Sequence, residues 1–185
     1  MAITEMTYAR YIKANTGDKL FNVFPSILVD LWEENYLRRF KTAEILSVNT
    51  DASGSSFTYL FDYSRERVIG VYGMPIYYKH KRDASRMKGA PLGAKEGTGY
   101  HRGHLIAHSI GGGTDINLVP QLGKVNIGEF RKLEREARDL AKTGVRCLYF
   151  VRTIYSDDTS WKPSSIEQAL VRTNGVFSYR MHGNY

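Results

Sequence analysis

The reading turns on YHRGHLIAHSIGGGTDINLVPQLGKVNIGEFRKLEREARDLAKTG, residues 100–144. RGHLIAHS reads as a short extended segment, GGGTD as a turn and INLVPQ as a second extended segment, before a helix that starts near Asn126. The helix is well punctuated. Ile127, Phe130, Leu133, Ala137, Leu140 and Ala141 fall on one face, and Gly144 stands where a C-terminal cap belongs. At about 100° per residue, Glu134 lies about 60° from the centre of that apolar face, whereas Glu129, Glu136 and Asp139 point outward. A carboxylate turned toward a core needs a partner or loses its charge. Arg138, one turn further on, is one candidate partner and a bound cation is another. Asn126 comes round to within about 80° of Glu134; alone, an asparagine at a helix start reads as a cap.

The chain has five histidines, and His101, His104 and His108 stand in this stretch. Their spacing would line one face of a helix and suggest a zinc site. Arg-Gly in the middle favours a strand instead, in which His101 and His104 point to opposite faces while His104 and His108 share one. No His-Glu-x-x-His pattern supports zinc. His108 reads as a satisfied loop residue or one that backs a site side chain, and His80 and His182 as surface residues.

The remaining sequence supplies a scaffold. Ile27, Leu28, Leu31, Trp32 and Tyr36 recur at helical spacing behind Pro25, which predicts a helix over about Ser26 to Arg39 within a helical N-terminal segment, residues 1–50. SSFTYLFDYSRERVIGVYGMPIYYK alternates β-branched and aromatic residues around a polar break at Asp62 to Arg67, which predicts two paired strands. A glycine-rich loop runs from Lys88 to Gly99. With 185 residues, 42% hydrophobic and 24% charged, the chain is expected to be one folded domain, residues 1–185. Cys147 is the only cysteine, which excludes an intramolecular disulfide and a four-cysteine zinc site. No apolar run reaches the roughly 18 to 20 residues of a membrane span. Met1 to Leu20 lacks the pattern of a secretory signal, so the chain is expected to be cytoplasmic as made. Twenty-six Lys and Arg against 19 acids leave a net charge of +7, the balance suited to a polyanionic partner such as nucleic acid. Lys79, Lys81, Arg82, Arg86, Lys88, Lys95 and Arg102 cluster around the histidines.

Two short strands and a helix, with histidine on the first strand and Asn and Glu on the helix, match the arrangement of a ββα-metal nuclease. HRGHLIAHSIGGGTDINLVPQLGKVNIGEFRKLEREAR resembles the core of the DNA/RNA non-specific endonuclease family: Asp-Arg-Gly-His, then Asn-(Leu/Ile)-(Val/Thr)-Pro-Gln, then Asn, Gly, an aromatic and Leu-Glu. The tail from Cys147 has the family's alternation too, with a Lys-Pro where Arg-Pro is common.

The resemblance implies an α+β fold, a mixed or antiparallel sheet with a ββα-metal finger over residues 100–144 and an N-terminal helical segment. It implies hydrolysis of phosphodiester bonds in DNA, RNA or both. His104 would be the general base, Asn126 the direct ligand of a divalent cation, Mg2+ or in its place Mn2+, and Glu134 the residue that holds the waters around it. Arg102 and Arg138 match family arginines that contact phosphate or stabilise the transition state, which places them with His104 among the catalytic residues. Arg82, Arg86, Lys124 and Arg131 are the cations expected to hold substrate. His101 stands where the family usually has Asp, which bears on local hydrogen bonding and metal preference. The family's habits suggest a toxin or secretion-system effector delivered into a target cell, with a cognate immunity protein. A secreted or uptake nuclease and an inactive nucleic-acid-binding domain are the alternatives.

Overall fold

The computed structural model describes residues 2–52, 55–79, 99–113 and 115–185. Three helices open the chain: α1 (Glu5–Ala14), α2 (Asp18–Asn22) and α3 (Phe24–Leu37). Pro25 occupies the first turn of α3, where its missing N–H costs nothing. Phe24, Leu28, Trp32 and Tyr36 bury the inner stripe at the expected spacing, with Ile27 and Leu31 half-buried beside them. The helix starts and ends two residues earlier than the sequence suggests, because Pro25 lies inside the first turn rather than ahead of it.

The helical segment does not extend to residue 50. Ile45–Ala52 is a strand, β1, followed by β2 (Ser55–Asp62) and β3 (Arg67–Gly73). The polar break lies where expected, as the turn between β2 and β3. Strand β1 carries polar residues at alternate positions, and Leu46 is 48% exposed, so its apolar signal is weak; pairing with β2 is what holds it straight. Strands β4 (Tyr100–His104) and β5 (Leu118–Leu122) come next, then helix α4 (Phe130–Lys142) and strands β6 (Cys147–Ile154), β7 (Ser165–Arg172) and β8 (Phe177–Gly183).

Among the described residues, six strands form one sheet in the order β1-β2-β3-β6-β7-β8, every neighbouring pair antiparallel. Strands β4 and β5 form a separate antiparallel pair. The fold is therefore α+β, and its ββα unit is the excursion between two strands, β3 and β6, that lie side by side in the sheet.

Alternation sends the sheet's side chains to two cores. Leu148, Phe150, Ala169 and Val171 join Tyr8, Leu28 and Trp32 on the helical face. Tyr149, Val151, Ile166 and Leu170 join Leu105, Ile106, Phe130, Leu133 and Ala137 on the other. Fully burying one such side chain stabilises by about 1.5–3 kcal/mol, so the ββα unit is fastened to the sheet by several anchors. No helix among the described residues is long and apolar enough to cross a membrane.

Candidate active site

The strand that carries the histidines is shaped by a glycine. In β4, Arg102 and His104 share a face and Gly103 points the other way, where a Cβ would overlap the buried Gln121 side chain of β5. Only glycine lets β4 lie this close to β5 with Gln121 between them. Arg102 faces Pro120 in the register, which aligns His104 with Leu118.

Past His104 the chain is pinned by an asparagine. The buried Asn117 accepts from Ile106 N–H at 2.8 Å through Oδ1, and its Nδ2 donates to the carbonyls of Ile106 and Gly113 at 2.7 and 2.8 Å. Each buried hydrogen bond contributes about 1 kcal/mol net, and losing one partner leaves buried groups unsatisfied at higher cost. The clamp places Leu105 and Ile106, both fully buried, beneath the cavity and fixes where His104 leaves the strand. Sequence reading gave Asn117 no role; its place two residues ahead of Val119-Pro120 is the signal that was present.

Asn126 does not open a regular α-helix. Val125–Glu129 winds as one π turn before α4 begins at Phe130. The wider turn rotates everything before Phe130 relative to the α-helical wheel, so Val125 is buried and Ile127, expected in the apolar face, is 52% exposed. The junction is held from the sheet: Gln168 of β7 donates through Nε2 to the Phe130 carbonyl at 2.9 Å and to the Tyr149 hydroxyl. His182 of β8 lies against the Phe130 ring, 5.2 Å between centroids, and meets Gln168 Oε1 at 3.1 Å. His182 is thus buried, not a surface residue, and desolvation lowers its pKa to about 4. From Phe130 on, the wheel holds: Phe130, Leu133 and Ala137 are buried, and Gly144 caps the end with φ of 75°. Glu129 and Asp139 are exposed, whereas Glu136, expected to point outward, is part-buried and accepts from Arg172 at 2.9 Å.

These elements enclose a cavity of about 380 Å³ lined by Arg102, His104, Ala107, His108, Ser109, Asn126, Arg131, Glu134, Arg135 and Arg138. Six residues singled out in the sequence meet there: Arg102, His104, Asn126, Arg131, Glu134 and Arg138. Lys124 is exposed and lies outside the lining, and Arg82 and Arg86 fall outside the described residues. Arg135 is an addition, and His108, read as a loop or supporting residue, stands in the wall. Arg131, Arg135 and Arg138 at i, i+4 and i+7 form a basic stripe that helical spacing could have shown. The His108 ring meets Tyr78 edge to face at 5.0 Å.

Among the described residues, Glu134 is the only carboxylate in a wall with four arginines. Desolvation pushes its pKa up to about 8, against the pull of Arg131. Arg138 forks onto Asp139 instead, with Nε and Nη2 at 3.1 and 2.9 Å from one carboxylate oxygen. Among the described residues, no group of three or more His, Cys, Asp and Glu is arranged to hold a metal ion. An ion here would rest on one amide, one carboxyl, water and substrate oxygen. Such an oxygen-rich, water-rich set suits a hard divalent cation. A carboxyl that burial disfavours as an anion despite Arg131 fits that cation as well.

A family model described as DNA/RNA non-specific endonuclease matches residues 46–172. Among solved structures, the fold is similar to NucA from Streptococcus agalactiae with magnesium bound: TM-score 0.58 and 15% identity, over 82% of this chain and 90% of that one. NucA without metal gives a TM-score of 0.52 and 17% identity over 77% and 72%. Sda1 nuclease with bound zinc gives 0.52 and 14% over 77% and 84%. No curated protein matches the chain in sequence. The family match runs from β1 to the end of β7 and takes in β4, β5 and α4, and with the likeness in fold it leads to one conclusion: the chain belongs to the DNA/RNA non-specific endonuclease family, a family of hydrolases.

Proposed function

We propose that the cavity between β4 and α4 is the centre of a divalent-metal-dependent endonuclease that cuts DNA, RNA or both with little sequence selectivity. One observation carries the reading: His104, Asn126 and Glu134, from a strand, a π turn and a helix, line one cavity together with four arginines. A domain that only holds nucleic acid has use for the arginines and none for that trio. The solved relatives carry magnesium or zinc, and magnesium is the ion proposed here, with manganese as a substitute.

His104, acting as a neutral imidazole, takes the proton of a water as its oxygen attacks phosphorus, so that one P–O bond forms and the bond to the 3′ oxygen breaks. Asn126 would hold the cation through its amide oxygen, and Glu134, its proton released to solvent as the cation arrives, would hold the waters around it. When bound, the cation supplies Lewis-acid stabilisation of charge on phosphorus and on the departing oxygen. Arg102 and Arg138 neutralise the phosphate, with Arg131 and Arg135 extending the contact along the backbone. Arg82, Arg86 and Lys124 complete the proposed substrate contacts. Phosphate contacts carry no base information, which is why low selectivity follows.

An enzyme of this kind endangers its maker's own nucleic acid. We infer from that hazard a toxin or effector delivered into another cell, with an immunity protein as its partner in the producer; an exported or uptake nuclease is the second reading. Incubating the protein with plasmid and with RNA, in magnesium or in EDTA, tests the chemistry. Cleavage in magnesium that EDTA abolishes is expected. Retardation of both polymers on a gel without cleavage would leave only a binding domain. Co-purification of a partner from the native host tests the biology.

A further inference from the structure

His101, on the opposite face of β4 from His104, has no role in the chemistry just described, yet its ring does not swing free. Its Nδ1 lies 3.5 Å from Nδ2 of Asn126. The ring rests over Gly123, where a Cβ would come within 3.1 Å of both Cε1 and Nε2. Gly123 is in turn tied across the hairpin, its N–H donating to the Gly99 carbonyl at 2.8 Å. The imidazole is therefore seated on the β4–β5 hairpin and aimed at the amide of the π turn.

An asparagine amide has two ends of nearly equal size and opposite polarity, and only the oxygen can bind a cation. Left to rotate, the amide presents its NH2 to the cavity part of the time. A neutral imidazole with its proton on Nε2 offers Nδ1 as an acceptor, and an acceptor beside Asn126 selects the NH2 end and turns Oδ1 away from itself. The wall is already crowded with arginines, so an amide with its NH2 inward would add a further obstacle to a cation.

We propose that His101 is a positioning residue for metal binding: it accepts a hydrogen bond from Asn126 Nδ2, and so keeps Asn126 Oδ1 directed at the cation, on a seat that Gly123 makes possible. The inference rests on the reading of Asn126 as the ligand. At 3.5 Å the contact is long, as such contacts often are before the site is loaded, and the cation's pull on Oδ1 strengthens the donor at the other end of the same amide.

The test is calorimetric titration of the full chain with Mn2+ at pH 8, with thermal melts as a control for folding. His101→Phe keeps a flat ring and removes the acceptor; it is expected to weaken Mn2+ binding about 10- to 100-fold, the usual effect of losing such an outer contact. Gly123→Ala, which leaves both polar groups in place and lifts the ring, is expected to weaken it in the same direction, while His101→Asp restores an acceptor and retains binding. In an Asn126→Ala background, which loses binding itself, His101→Phe is expected to have no further effect. If Asn126→Ala loses the ion but His101→Phe binds within twofold of the parent, the positioning role is wrong and the ligand reading stands. If Asn126→Ala binds normally, the ligand reading falls, and the positioning role with it. A nitrogen coupling from imidazole in the spectrum of bound Mn2+ that vanishes in His101→Phe would make His101 a ligand and overturn the proposal.

Discussion

The two faces of the sheet treat charge in opposite ways. On the helical face, Glu167 is fully buried and completely engaged: Arg152 Nε at 2.6 Å, Tyr8 and Tyr179 hydroxyls both at 2.8 Å, with Trp32 Nε1 donating to Tyr8 behind them. On the other face, Glu134 looks into a cavity with four arginines, and burial outweighs the pull of Arg131 and keeps its carboxyl largely uncharged. A satisfied buried carboxylate is part of a scaffold. One that burial keeps largely uncharged at a cavity wall is a place prepared for something to bind. If the division is right, damage to the first face costs stability and leaves chemistry, and damage to the second does the reverse.

The largest effect should come from the cavity. His104→Ala is expected to lower the cleavage rate by about 100- to 10,000-fold, the range for loss of a general base, with an unchanged melting temperature, and added imidazole should restore part of the rate. Full activity in the variant would remove His104 from the mechanism. The mirror experiment is Glu167→Gln, which leaves Arg152 buried with its charge uncompensated. Breaking a buried pair in this way costs about 3–5 kcal/mol, so a sharp fall in the urea midpoint is expected, with the rate of the remaining folded enzyme preserved. A variant that melts like the parent but no longer cuts would show that the helical face is not merely a scaffold.

His182 sets a third test at the seam between the faces. Gln168 already donates through its Nε2, so its Oε1 is an acceptor and His182 Nε2 must donate; the buried imidazole is neutral. Its pKa is about 4 when folded, against about 6.5 for a free histidine. Between those values the unfolded chain binds the proton more readily. The contribution is therefore fully present above pH 6.5 and is lost as pH falls toward 4, by up to about 3 kcal/mol. Thermal melts from pH 7 to pH 4 should show this slope, and His182→Gln should flatten it; an unchanged slope would place its source elsewhere.

What could be read in the sequence depended on how far its cause lies along the chain. The ββα order, the strand faces of His101 and His104 and the inward lean of Glu134 are set by neighbours within a few residues, and all were legible. The π turn was not. It depends on Gln168, 38 residues beyond Phe130, reaching the carbonyl at the helix junction. That is why Ile127 was assigned to the core and is exposed instead. His182 was misread for the same reason, because its burial follows from pairing of β8 with β7. Strand β1 was missed because an edge strand with polar residues at alternate positions carries little periodic signal until β2 pairs with it. The meeting of six anticipated residues in one cavity shows local pattern sufficing where strand, turn and helix follow one another directly.

The smallest expected effect is the most discriminating. Glu134→Gln keeps the size of the side chain and removes its ability to ionise. In a scaffold role the change would disturb packing and lower the melting temperature. In a ligand-holding role it removes a carboxyl that burial already disfavours as an anion, so the metal-free protein should melt at the same temperature or slightly higher. The divalent ion should bind about 10- to 100-fold more weakly, the cost of losing an outer-sphere carboxylate, and more magnesium should be needed for half-maximal cleavage. Magnesium should then raise the parent's melting temperature more than the variant's, since an ion that binds only the folded state stabilises it by an amount that grows with the logarithm of its affinity. Equal shifts in both would mean that Glu134 is not part of the ion's site, and the contrast between the two carboxylates would lose its functional meaning.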